Sequence, residues 1–210
     1  MDAKQREAVE TMSAFIDMLA KAGFETEEEA VASALGYMEG EAEESFLRPH
    51  AKQMAREAFA RQKEEQPHWP AVTDCDRLDS AFAELDENGI IARQNYWCCQ
   101  TCGNDAIGTE IDELSEMGRK VRGFAYYHTQ DTESAVEGYG VCLCYGSVEE
   151  SEEERIALAN EIVSTIEKHG LKPKWNGDLK RRIEVPLDWK RRREFTPKPT
   201  VFGRLRSLFQ

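Results

Sequence analysis

The chain has no long hydrophobic run. Its uncharged stretches are no longer than Gln94 to Asn104, far short of the roughly 18 to 20 apolar residues that a membrane-crossing helix requires, so no transmembrane segment is expected. The opening Met1-Asp2-Ala3-Lys4 leads into polar residues, not the apolar centre of a signal peptide, and the expected location is the cytoplasm. Internal repeats are missing, and low-complexity sequence is confined to the acidic run Glu149 to Glu154, which reads as the opening of a helix. Positive charge is also in deficit: 27 Lys and Arg against 40 Asp and Glu give a net charge of −13. A body that negative repels phosphate and excludes nucleic acid as an expected ligand.

What is present fits a soluble globular protein. Apolar residues make up 40% of 210 and charged residues 32%, with aromatics spread along the chain, which excludes disorder and fibrous architectures. The charge is unevenly placed. Residues 172–210 hold 12 Lys and Arg against four acids, a local +8 in a chain of net −13, which leaves −21 on the rest. Such a basic tail can dock on its own acidic body, pair with a second copy or engage a polyanion, and docking on itself is the expected outcome. The run Lys190-Arg191-Arg192-Arg193 reads as a solvated charge run. Val201, Phe202, Leu205, Leu208 and Phe209, interleaved with Arg204 and Arg206, have amphipathic helical spacing suited to a partner or to an anionic membrane surface.

Hydrophobic periodicity divides the chain. Val9, Met12, Phe15, Ile16 and Leu19 predict a helix that stops at Gly23, and Thr26 with Glu29 forms a capping box before a second helix that stops at Gly40. Pro49 suits the first turn of a third helix reaching Gln62. Residues 1–66 are thus expected to be a helical N-terminal segment, and Gln66-Pro67-His68-Trp69-Pro70 is the expected linker. From there the pattern predicts a helix from Thr73 to Asn88, a strand from Ile90 to Trp97 and a helix through Ile107 to Met117. A strand Gly123 to His128 and a strand Gly138 to Gly146 follow, then a helix Glu152 to His169 and strands near Lys172 to Trp175 and Arg182 to Val185. The order matches a ferredoxin-like (βαββαβ) α+β domain over residues 67–190, followed by a basic tail over 191–210. In that topology the third strand lies between the first two. Their C-terminal ends then share one sheet edge, which brings the cysteines after Trp97 and His128 to the same place.

The candidate chemistry is at that edge. Without an export signal, six cysteines point to thiols or metal ligands more than to structural disulfides. Cys99 and Cys102 form a Cys-x-x-Cys beside Cys98, at a strand-to-helix junction where a helix N-terminus lowers a thiol pKa. Three readings stay open: zinc held by Cys99 and Cys102 with Cys75, Cys98 and His128 as candidates for two further ligands, a redox pair in which Cys98 or Cys99 attacks and Cys102 resolves, and plain core packing. His128 with Asp131 three residues on could be a base with its orienting partner, a ligand with its support, or an exposed loop. Cys142 and Cys144 share a strand face and read as core. Trp69, Trp97, Trp175 and Trp189 read as sealing a core or interface.

Thr73-Asp74-Cys75-Asp76-Arg77-Leu78, Ile90-Ile91-Ala92-Arg93-Gln94-Asn95 with the Cys98-Cys99-Gln100-Thr101-Cys102-Gly103 run, and Tyr127-His128-Thr129-Gln130-Asp131-Thr132-Glu133 resemble a bacterial domain family catalogued without a function. The resemblance extends from about Trp69 to Trp189 and implies a bacterial cytoplasmic protein, with no activity or cofactor to carry over. The expected function is a binding or regulatory module with a protein partner and a cysteine-rich, zinc-holding edge. The alternatives are a thiol-dependent oxidoreductase or transferase using Cys98, Cys99, Cys102 and His128, and an acidic decoy of a basic partner.

Overall fold

The helix starts are set by local caps. In the computed structural model, which describes residues 1–149 and 151–193, Asp2 caps α1 (Ala3–Ala22) by accepting from the Gln5 N–H at 2.8 Å, and Gly23 ends it with φ 83°. Thr26 and Glu29 close the expected capping box on α2 (Glu27–Tyr37). The third helix, α3 (Glu44–Glu65), begins well before Pro49, which lies inside it; burial of Leu47 and Ala51 on either side carries the helix through the proline.

The chain divides into two compact units, Met1–Ala71 with residues 190–193, and Val72–Trp189. The first is a three-helix unit around Met12, Ile16, Val31 and Leu47, with Ala51, Ala55 and Ala58 along α3 small enough for α1 and α2 to pack closely on it. Residues 190–193 are not the solvated run expected from their charge. Arg193 donates to the carbonyls of Leu19, Ala20 and Glu25 and lies 3.7 Å over the Phe59 ring, while Arg191 lies 4.4 Å over Phe24 and is buried. The last turn of α1 leaves carbonyls without helical partners, and a guanidinium supplies donors and charge of the right sign. The amphipathic stretch 201–209 lies outside the described residues.

The second unit is α+β. Its elements are α4 (Asp74–Glu87), β1 (Ile90–Arg93), α5 (Gln100–Glu116), β2 (Gly123–Tyr126), α6 (Thr129–Val136), β3 (Val141–Ser147), α7 (Glu152–Lys168) and β4 (Ile183–Val185). The sheet order is β1-β2-β3-β4, with β1 and β2 parallel and the other two pairs antiparallel. This corrects the ferredoxin-like expectation: β3 lies outside β2, not between β1 and β2. The expected strand near Lys172 is a lone bridge, Lys174 to Glu184.

The reason for the difference is in how the faces are covered. Ile91, Phe124, Tyr126 and Cys144 pack with Ile107, Ile111 and Leu114 of α5 on one face. The alternate residues Ile90, Ala92, Ala125 and Leu143 are also buried, on the face covered by α4 and α7. A ferredoxin-like sheet leaves one face to solvent; strands apolar on both faces need helices on both.

Candidate functional site

The parallel pairing of β1 and β2 puts the loops that follow them side by side. β1 ends at Arg93, four residues short of the expected Trp97, because Asn95 (φ 49°) and Trp97 (φ 59°) take left-handed backbone. Several bonds hold this loop from all sides. The Gln94 side chain donates to Asp79 at 2.6 Å and accepts from the Tyr127 hydroxyl at 2.8 Å, and Thr132 bonds Asn95 at 2.8 Å. The Trp97 carbonyl accepts from both the backbone N–H and the hydroxyl of Thr129, each at 2.9 Å. Left-handed backbone at a tryptophan persists because these contacts over-determine it.

The loop delivers three thiols to one place. The Sγ atoms of Cys98, Cys99 and Cys102 all lie within 4.8 Å of one another, with Cys98 exposed and the other two half-buried. Cys99 is the N-cap of α5 and Cys102 lies in its first turn, which the Gly103 N–H closes onto the Cys99 carbonyl at 2.9 Å. The Cys102 N–H pointing at the Cys99 sulfur, joined by the Cys102 thiol, lowers the Cys99 pKa. The same sulfurs, Cys98 and Cys99, push Cys102 up to about 11. From below, the Tyr126 hydroxyl fixes this turn, bonding the Gln100 carbonyl at 3.0 Å and Asn104 at 2.6 Å.

The other sequence candidates stay out of that cluster. Cys75 is buried near the start of α4, and neither it nor His128 belongs to the group formed by the three sulfurs. Cys142 and Cys144 lie in β3, where Cys144 packs in the core beneath α5. His128 is 5% exposed, which corrects the reading of an open loop. Its Nε2 is 3.2 Å from Asp131 Oδ2 and 3.4 Å from Arg182 Nη1, and Arg182 also donates to Asp131 and to the Cys142 carbonyl. Asp131 accepts from the His128 N–H at 3.1 Å and so caps α6. Arg182, the hub of this buried group, was missed in the sequence because Lys180-Arg181-Arg182 reads as surface charge; its place just before the strand Ile183–Val185 was the available signal.

Burial lowers the His128 pKa from 6.5; Asp131 opposes the shift and Arg182 adds to it. A histidine held neutral in the folded state gains a proton on unfolding between its folded pKa and 6.5, so its stabilising share is complete above that window and is lost as pH falls through it. Between pH 7.5 and 5, the urea midpoint should therefore fall further for the native chain than for H128Q; equal falls would remove His128 from the account.

Fold and site together define an α+β protein with a three-thiol cluster at the carboxyl ends of two parallel strands. The chain belongs to the family described as domain of unknown function DUF6891, whose model matches residues 5–193. The match takes in the N-terminal helices, which the sequence motifs had placed outside the family. Neither the curated proteins nor the solved structures hold a match. Among the described residues, no helix is long and apolar enough to cross a membrane.

Proposed function

We propose that this protein is a metal-binding module in which Cys98, Cys99 and Cys102 hold one thiophilic ion, zinc first among them. The observation that carries this reading is the convergence of three sulfurs within 4.8 Å. Around zinc, bonds of about 2.3 Å in tetrahedral geometry put sulfurs about 3.8 Å apart, a spacing inside the 4.8 Å over which these three already converge. The α5 N-terminus offsets the negative charge that three thiolates bring. With Cys75 and His128 outside the three-sulfur group, a fourth ligand would come from water or from a group brought from outside.

Untagged protein, metal-loaded and dialysed, should hold close to one zinc per chain by plasma mass spectrometry. C99S or C102S should lose it, while C142S should retain it. Failure of the native chain to retain zinc after reconstitution under reducing conditions would refute the reading. A second reading, thiol chemistry with Cys99 as nucleophile, draws on the lowered Cys99 pKa beside a Cys102 held near 11. It predicts that Cys99 alkylates faster than a free thiol at pH 7 in protein that holds no metal.

A further inference from the structure

The six cysteines are unequal in ways that go beyond metal binding. Cys75 is 1% exposed and Cys144 4% exposed, whereas Cys98, Cys99 and Cys102 share a surface loop. Cys142 is half-buried, but its neighbour Cys144 is two residues along the same strand. At strand spacing their Cα atoms are about 6.6 Å apart, the upper limit for a disulfide, and their flanking bonds pair β3 to both neighbours. Cys99 and Cys102 face no such obstacle. They occupy the N-cap and first turn of α5 with their sulfurs already close, and one helical turn puts the Cα atoms about 5 to 6 Å apart, in the middle of the disulfide range. Cys98 and Cys99 are adjacent in sequence, and a bond between them would force a strained eight-membered ring through their shared peptide.

The loop around these thiols is already tied down. Its backbone is held at the Trp97 carbonyl by Thr129 and at the Gln100 carbonyl by Tyr126, and the Asn95 side chain is held by Thr132, so much of the entropy of bringing the thiols together is already lost in the folded state.

We propose that Cys99 and Cys102 form a modification site for peroxides, joined reversibly as a disulfide. One thiolate of the pair attacks the peroxide: an S–O bond forms, the O–O bond breaks, and alkoxide or hydroxide leaves and takes up a proton. The other thiolate attacks the resulting sulfenic acid: the S–S bond forms and the S–O bond breaks, releasing water once protonated. Two thiols and one ROOH give one disulfide, one ROH and one H2O, the sulfurs being oxidised by two electrons and the peroxide reduced by two. Where the loop holds an ion, the same oxidation removes two of its three thiolates and expels it; this second consequence rests on the metal-site reading, the first does not.

Hydrogen peroxide in slight excess over metal-free native protein tests the proposal. The thiol count should fall from six to four, peptide mapping should find Cys99 linked to Cys102, the far-UV circular dichroism should stay unchanged, and a reductant should restore all six. C98S should still form the bond, and C102S should instead leave a Cys99 sulfenic acid that a dimedone reagent traps. Survival of six thiols, or a linkage involving any other cysteine, overturns it. On zinc-loaded protein the peroxide should release the ion to a chromogenic chelator. The two readings fail separately: a disulfide in protein that never binds zinc removes only the metal site, and bound zinc without any disulfide removes only this proposal.

Discussion

Gly103→Ala is expected to destabilise the α+β unit by about 2 kcal/mol and to weaken the metal binding proposed for the thiol loop by about 10–100-fold. A Cβ at position 103 would lie 2.6 Å from Cε2 of Tyr126, 2.8 Å from its Cζ and 2.9 Å from its hydroxyl oxygen. The ring has nowhere to retreat: it is fully buried, stacks with Phe124 and touches Tyr96. The first turn of α5 must lift instead, and that turn carries Cys102 and the Asn104 acceptor of the Tyr126 hydroxyl. Alanine is the better helix former by about 1 kcal/mol, so the clash must exceed that gain to show. Gly108 supplies the control. It lies in the same helix, a methyl group there would meet nothing within 4 Å, and Gly108→Ala should stabilise by about 0.5–1 kcal/mol. Urea midpoints of the two variants should move in opposite directions; a Gly103→Ala midpoint at or above that of the native chain would show that Tyr126 does not clamp α5.

Those caps and glycine stops that were legible in the sequence were local. Thr26 with Glu29 and the stop at Gly23 can be read because a side chain bonds the backbone three residues away or a backbone angle demands glycine. The strand order could not be read the same way, since it depends on which side of β2 receives β3. One sequence signal did bear on it. Ile90-Ile91-Ala92 is an unbroken apolar run, and such a run marks a strand buried on both faces, whereas a ferredoxin-like strand should alternate.

The candidate site divides in the same manner. The Cys-x-x-Cys at a helix start was readable from spacing, and the structure adds Cys98 to it because Trp97 takes a conformation no sequence rule assigns to tryptophan. His128 and Asp131 were readable as a pair three residues apart. Their burial was not, because it comes from Arg182, 51 residues beyond Asp131 and part of a different element. A guanidinium drawn inward leaves no pattern in a basic stretch.

Arg182 is therefore the position where the largest loss is expected from a surface-like sequence. Arg182→Met should cost about 2–4 kcal/mol at pH 7.5, since it leaves Asp131, 7% exposed, without its cation and the Cys142 carbonyl without its donor. His128 determines how that cost depends on pH. With Arg182 present, the guanidinium adds to burial in holding the imidazole neutral; without it, Asp131 faces the ring alone and favours the imidazolium. The His128 pKa in the variant should rise relative to the native fold, so the stability that the native chain loses through this buried histidine as pH falls is lost less in the variant. The deficit of the variant should accordingly be smaller at pH 5.5 than at pH 7.5, measured as the difference in urea midpoint. Adding Asp131→Asn should recover part of the loss at pH 7.5, because the buried negative charge left unpaired is removed with it. A deficit independent of pH, together with no recovery in the double variant, would reduce Arg182 to a packing residue and separate it from the His128–Asp131 pair.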